Sequence, residues 1–435
     1  MPRCRRAIVI GLVMAVGCSG CAHGRSCAVR PMRTPRQTLE QALPPAERAS
    51  FEFDVSGVGS LDEVNRILGR PTEGNYWLLT AEECQCMAAA ASTQGNSLAA
   101  EQRAIRAAAS HKGLSEDDRV KLRVLRASEQ EARNSSASGA LEVFYRLAEA
   151  EANLAILEES LAEIDSTLGR VAQIREQGVQ IPFDASELGR QRVELVDKQV
   201  ELMWTAGQLS SRLIRMVGLS TDDALAHIWP STDWKVKVEP IDMELAVAEG
   251  LSLRPEMGLL RSLGRSINTD TLGVVRQVLS GGSGLLGAQP KASGLVALLG
   301  LRQLAGQGRA NARELPTRRR QLADYTEQRA DEISGDIRQA VLTVEARLRQ
   351  IALAREQTQS WETRVQELEK LQTTGQATFA EISTAKLGGL QAQSDAVAAI
   401  VAWKVALVQL KEAQGLLIEE CQALWCAPVL AAPSS

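Results

Sequence analysis

Two acidic pairs occupy matched places in this sequence. Asp184 and Glu187 stand six and nine residues after Gly178; Glu381 and Thr384 stand six and nine residues after Gly375. A spacing of three puts both members of each pair on one helix face. Carboxylates gathered on a shared face can focus a field for cations. They can also simply begin a helix, where negative charge near the N-terminus is worth about 0.3–1 kcal/mol. Thr384 breaks the acidic pattern of the second copy, which weakens it as a charged patch.

Eight cysteines suit an exported, oxidising setting. Cys84 and Cys86 lie near one helix start, and Cys421 and Cys426 lie just past the last helix. Three readings stay open for them: a disulfide that staples the chain ends, buried thiols, or a metal site. The metal reading has little to draw on, because the three histidines, His23, His111 and His227, are distant in sequence. No nucleophile elbow, HExxH, phosphate loop or GxGxxG is present, so neither an enzyme nor a cofactor is expected. A net charge of −4 leaves no nucleic-acid footprint.

The first residues read as a targeting segment. Arg3, Arg5 and Arg6 form a basic start. Ala7 to Gly17 is an apolar run of 11 residues, too short to span a bilayer. It ends in Ala15-Val16-Gly17-Cys18, with a second possibility at Ser19-Gly20-Cys21. Small residues before a cysteine resemble a bacterial lipobox, so residues 1–17 are taken as a lipoprotein signal peptide. Cys18 is the lipid attachment site and Cys21 the alternative. Neither is followed by aspartate, which by analogy favours the outer membrane. Residues 18–78, with five prolines from Pro31 to Pro71, read as an extended tether.

The rest must be the scaffold that positions the acidic pairs. Aromatics are 3% of the chain, and Ala, Leu, Glu, Gln and Arg dominate, as in long helices. A helix opens at Thr80 with Glu83 three residues on, the capping-box spacing, and runs to about Ala109. Residues 111–139 are polar and charged, with no strong apolar face. Leu147, Ala150, Leu154, Leu157, Leu161, Ile164, Leu168 and Val171 form a heptad seam. Gly178 stops it. The chain returns through Leu188, Leu195, Leu202, Leu209 and Met216, with Val193, Val196, Val200 and Met203 widening the face, and Gly218 closes that helix. The connector 219–240 holds Pro230 and an alternating Trp234-Lys235-Val236-Lys237-Val238 that reads as one short strand. Asp242 then opens a second copy, with Arg254-Pro255-Glu256 where Ser92-Thr93-Gln94 stood. A seam resumes at Ile337, Val341, Val344, Leu348 and Ile351 and continues through Trp361, Val365 and Leu368 to Gly375. A returning arm from Ile382 to Leu416 ends near Gly415. In both copies 40 residues separate the two glycines. The expected organisation is a first helical repeat, 79–218, with its tip at 178–187. A second, 241–418, has its tip at 375–384 and a Gly-rich insertion at 279–308, followed by a tail, 419–435.

This pattern resembles TolC-like outer-membrane efflux proteins, and among them the lipoprotein, NodT-like branch. The residues that carry the resemblance are Leu79-Thr80-Ala81-Glu82-Glu83 and Leu251-Ser252-Leu253-Arg254-Pro255-Glu256 at the repeat openings. The tip turn, Gly375-Gln376-Ala377-Thr378-Phe379-Ala380-Glu381-Ile382-Ser383-Thr384-Ala385, carries it too. So do the endings Leu213-Ile214-Arg215-Met216-Val217-Gly218 and Leu410-Lys411-Glu412-Ala413-Gln414-Gly415. The resemblance implies an all-α fold of duplicated long hairpins in an antiparallel coiled-coil bundle, the protomer of an α-barrel. It implies a homotrimer working with a periplasmic adaptor and an inner-membrane transporter, and a place on the periplasmic face of the outer membrane. It gives Asp184, Glu187 and Glu381 the role of acidic rings at the tunnel tip, where they would attract cations. One departure counts against a transmembrane barrel. Each repeat should carry two membrane-spanning strands with aromatic girdles, yet the two slots between about 78 and 143 and between 235 and 324 contain no Phe or Tyr. The barrel strands are therefore read as reduced or absent. A lipid-anchored helical scaffold that lost its channel is the alternative.

Overall fold

The computed structural model describes residues 38–39, 76–110, 113–178, 185–219, 227–238, 240–280 and 308–426. The signal segment, Cys18, Cys21, Asp184, most of the tether and 281–307 of the Gly-rich stretch lie outside the described residues.

Three short strands, β1 (Thr38–Leu39), β2 (Tyr76–Thr80) and β3 (His227–Ser231), form one sheet in that order, with β2 and β3 parallel. The rest is helical. The first repeat holds α1 (Ala81–Ala91), α2 (Thr93–Ala108), α3 (Glu116–Glu176) and α4 (Ala185–Met216). The second holds α5 (Met243–Leu253), α6 (Pro255–Ser266), α7 (Leu272–Ser280), α8 (Gly308–Thr373) and α9 (Phe379–Gln414), followed by α10 (Leu416–Cys426).

Several matched positions in the two halves have similar local geometry. Thr80 and Glu83 form a full capping box: the Thr80 amide donates to Glu83 Oε2 at 3.0 Å and the Glu83 amide to Thr80 Oγ1 at 3.2 Å. Asp242 caps α5, accepting from the Leu245 amide at 3.0 Å. Ser92 and Arg254 then break their helices with nearly the same backbone, φ −51°, ψ 109° and φ −57°, ψ 122°. The four glycines that bound the two arms, Gly178, Gly218, Gly375 and Gly415, all have φ between 73° and 78°. That left-handed conformation lets a helix end without a Cβ clash.

Four expectations need correction. The single helix to Ala109 is two, because Ser92 leaves helical geometry and caps a new helix by accepting from the Gly95 amide at 3.2 Å. The polar stretch 111–139 is mostly the start of α3, opened by a Ser115–Asp118 capping box. It buries Val120, Leu122, Val124, Leu125 and Ala127 first, and then Arg133, Asn134, Ala137 and Ser138. The second half of that face is small and polar, so the apolar pattern breaks off before the seam at Leu147. The strand of the connector is His227–Ser231, not Trp234–Val238: it pairs with β2 in the register Tyr76↔His227 to Thr80↔Ser231, with Pro230 on an edge strand, where it is tolerated. Finally, Cys421 is not past the last helix, because Gly415 ends α9 and α10 follows at once.

The long helices form a layer in the order α4, α3, α9, α8. Leu147, Leu154, Ile164 and Val171 of the predicted seam are buried, as are Val341, Val344, Val397 and Val401. One apolar core gathers around α1, α3, α4 and the sheet, with Trp77, Leu79, Phe144, Leu147, Leu213 and Ile228. A larger one joins α3 to α5 through α9, with Val120, Leu260, Leu263, Ile337, Val341 and Val401. Among the described residues, the slots where barrel strands would fall are occupied by α2, the start of α3, α6, α7 and the start of α8. No helix among them is long and apolar enough to cross a membrane.

Candidate functional site

The sequence points to the hairpin tips. At the second tip the chain leaves α8 through a bond from the Gln376 amide to the Leu371 carbonyl at 2.9 Å, closed by Gly375. Thr378 then caps α9. Its amide and hydroxyl donate to Glu381 Oε2 at 2.8 and 2.9 Å, and the Glu381 amide donates back to Thr378 Oγ1 at 3.3 Å. These donors hold the exposed Glu381 carboxyl below its ordinary range, so it stays charged. Glu381 thus starts a helix, while its charge remains at the surface. Thr384 sits one turn on, and its hydroxyl donates to the Ala380 carbonyl at 2.9 Å.

At the first tip Gly178 ends α3, with its amide bonded to the Arg175 carbonyl at 3.0 Å. Asp184 lies outside the described residues. Glu187 is exposed and ion-paired with Arg190 on the same helix, so part of its charge is compensated. Arg192 of α4 reaches Asp165 of α3 at 2.6 Å and ties the two arms.

Sequence reasoning missed the groups that lock one hairpin to the other. Thr167 of α3 donates to Ser383 of α9 at 2.9 Å, both buried. Lys386 of α9 lies 3.7 Å from Glu163 of α3 and 3.9 Å from Glu369 of α8. Beneath the second tip, Leu368, Ala377, Ile382 and Ala385 form a separate apolar cluster with Trp361 and Val365. Trp361 lies on Gly388, where an added Cβ would stand 2.7 Å from the indole ring. The clue in the sequence is the Gly388-Gly389 pair inside a helix, facing a tryptophan in the partner arm. Gly388→Leu is expected to destabilise the tip by about 1–3 kcal/mol through overpacking, read as faster amide exchange confined to residues around 361–389. An unchanged tip would mean that the indole moves aside freely.

Among the described residues, the layer has two open edges. On α4, Val193 and Trp204 are 67% and 54% exposed, with Val200 between them. The seam reading had Val193 and Val200 facing inward; Leu188, Met203 and Leu213 take that role, and the valines point away from α3. On α8, Leu342, Leu353 and Leu371 form a second exposed apolar row. These exposed side chains lie on the two outer helices of the layer.

The chain ends are joined: Cys86 of α1 is bonded to Cys421 of α10, with Cα atoms 5.3 Å apart. Gln85 adds bonds from its amide to the Leu417 carbonyl at 2.8 Å and to Glu420 at 2.9 Å. Cys84 is a buried free thiol, and burial pushes its pKa well above the ordinary range. The Cys426 side chain lies outside the described residues. Among those described, no group of three or more His, Cys, Asp or Glu is placed to hold a metal.

Long hairpins in one helical layer, with left-handed glycines at both tips, give the chain a TolC-like all-α fold. The solved structures agree with that fold. The outer-membrane channel OprN matches with a TM-score of 0.53 at 14% identity, over 89% of this chain and 98% of that one. The MtrE outer membrane channel of Neisseria gonorrhoeae, in its open state, matches at 0.52 and 12% identity, over 77% and 88%. The CmeC outer membrane channel of Campylobacter jejuni matches at 0.51 and 12%, over 69% of this chain and 66% of that one. At such identities the likeness is one of fold. No protein-family profile and no curated protein matches the sequence.

Proposed function

We propose that this chain is a TolC-like export component, lipid-anchored to the outer membrane through Cys18, or alternatively Cys21. Three copies close a periplasmic helical conduit that works with an inner-membrane pump and a periplasmic adaptor. The observation that carries the reading is the open layer with apolar rows on both edges. Edge α4 and edge α8 differ, so contact between copies is head-to-tail, and head-to-tail contacts close into rings when the rotation permits. Repeats 79–218 and 241–418 are then the two staves that each copy contributes. Asp184, Glu187 and Glu381 cluster at the tip of the ring, where their charge favours cations. The helices that fill the strand slots favour a second reading, a lipid-anchored periplasmic scaffold that assembles without conducting.

Light scattering of the detergent-purified protein, followed by planar-bilayer conductance, separates these. A trimer with cation-selective current, reduced by Asp184→Ala with Glu381→Ala, supports the conduit. A trimer that never conducts leaves the scaffold, and a monomer removes both assemblies. Trp204→Glu together with Leu353→Glu is expected to convert the trimer largely to monomer, because each buries a charge at the seam between copies. A trimer that persists would place the contact elsewhere.

A further inference from the structure

A cluster of charged groups is buried where the two repeats meet, away from both tips. Glu131 of α3 stands beside Glu256 of α6, and Arg254, Arg329 of α8 and Glu412 of α9 act on it. Glu256 is 1% exposed. Its Oε1 accepts from Arg254 at 2.8 Å and from Arg329 at 3.3 Å, while its Oε2 has no donor. Asn134 Oδ1, one helical turn from Glu131, is also buried without a donor. Glu131, Asn134, Arg254 and Glu256 line one small cavity with Gly415 and Glu419, with room for about one water molecule at about 20 Å³.

The groups facing Glu131 can be taken element by element. From α6 come Glu256 and its cap Arg254. From α8 come Arg329, which also holds Glu332 at 2.9 Å, and Tyr325. From α9 comes Glu412, which accepts from Ser138 at 2.6 Å, and from α10 comes Glu419 at the cavity wall. On its own helix, Glu129 is taken by Arg133 at 3.0 Å and by Gln102 of α2 at 2.7 Å. Carboxylates therefore outnumber the two arginines once Glu131 is ionised. Glu256 Oε2 and Asn134 Oδ1 are buried acceptors of this cluster and Arg329 Nε is a buried donor of it, and both arginines already serve Glu256, so an ionised Glu131 adds a second carboxylate to the same cavity.

We propose that Glu131 is the proton-sensing group of a latch between the two repeats, in which its neutral form leaves both arginines to Glu256 and puts no second charge on the cavity. When it ionises, the junction of α3, α6 and the α9–α10 corner carries an uncompensated charge and loosens. Burial and the Glu256 charge raise the Glu131 pKa to about 7. A folded-state value above that of the unfolded chain means that the stabilisation is complete in acid and is lost as pH rises through about 7. The latch is independent of whether the assembly conducts.

The test is thermal unfolding of the full-length protein at about pH 5.5 and about pH 8.5, where the midpoint of the wild type is expected to fall by about 2–5 °C. Glu131→Gln, which stays neutral, is expected to abolish most of that fall. An equal fall in wild type and E131Q overturns the proposal, as does a wild type with none. If E131Q does not fold, amide exchange of the wild type decides. Exchange corrected for intrinsic rate is expected to speed up between about pH 5 and 7, and to level off above, at residues near 131, 254–257 and 414–419, and not at the tips. Unchanged exchange there overturns it.

Discussion

Arg254→Met is expected to lower folding stability by about 3–5 kcal/mol, measured by denaturant unfolding. Arg254 makes two connections at once. Its Nε donates to the Ala413 carbonyl near the end of α9 at 2.7 Å, and its Nη1 donates to Glu256 at 2.8 Å. Removing it leaves a carboxylate that is 1% exposed with Arg329 as its remaining cation. An uncompensated buried charge costs far more than a lost surface pair. Arg254→Lys should recover only part, since an ammonium cannot reach both partners with the fixed fork of a guanidinium. The contrast is Arg364→Met, whose pair with Glu367 is exposed on both sides and should be worth about 0–1 kcal/mol. Equal losses for the two would show that the Arg254 pair is not buried in solution.

Cys421→Ser is expected to cost about 2–4 kcal/mol and to free α10 from α1. The bond joins residues 335 apart in sequence, so its loss returns a very large loop to the unfolded ensemble. Reductant should lower the wild-type melting temperature to that of Cys421→Ser and leave the variant unchanged. Cys84 does not substitute for Cys86. It is buried, and its thiol is held far from ionisation, so it is a poor nucleophile for exchange. Identical mobility of reduced and unreduced protein on a denaturing gel would remove the bond from the account. The Gln85 bonds, the buried Leu417 and Ile418 and the Lys411–Glu420 pair would then hold α10.

Much of the fold is legible because it rests on local rules. Gly178, Gly218, Gly375 and Gly415 were found from spacing alone, and each needs the left-handed backbone that few other residues tolerate. Thr80, Asp242 and their downstream partners announce helix starts, because a side-chain oxygen must satisfy amides that the helix leaves open. The start of α3 was hidden for the opposite reason. Beyond Ala127 its buried face is made of alanine and of polar groups such as Arg133, which donates to the Ala89 carbonyl at 2.7 Å. Hydropathy cannot signal burial that is satisfied by hydrogen bonds.

The sequence by itself determined where the two hairpins turn, where the helices at Thr80 and Asp242 begin, and that cysteines of the first and last helices could meet. Those features depend on backbone geometry and on neighbours a few residues away. The tertiary structure decided which apolar faces are spent inside and which remain open. Val193 and Val200 fit a heptad pattern yet point outward, because α4 has one neighbour in the layer and an edge helix cannot bury two faces. It also chose Cys86 over Cys84 as the partner of Cys421. Positions two apart on a helix face nearly opposite sides, and only packing fixes which one meets α10. The charged joint at Glu131 and Glu256 appears only when residues 125 apart are brought together, since a carboxylate's pKa is set by the neighbours and solvent that folding gives it.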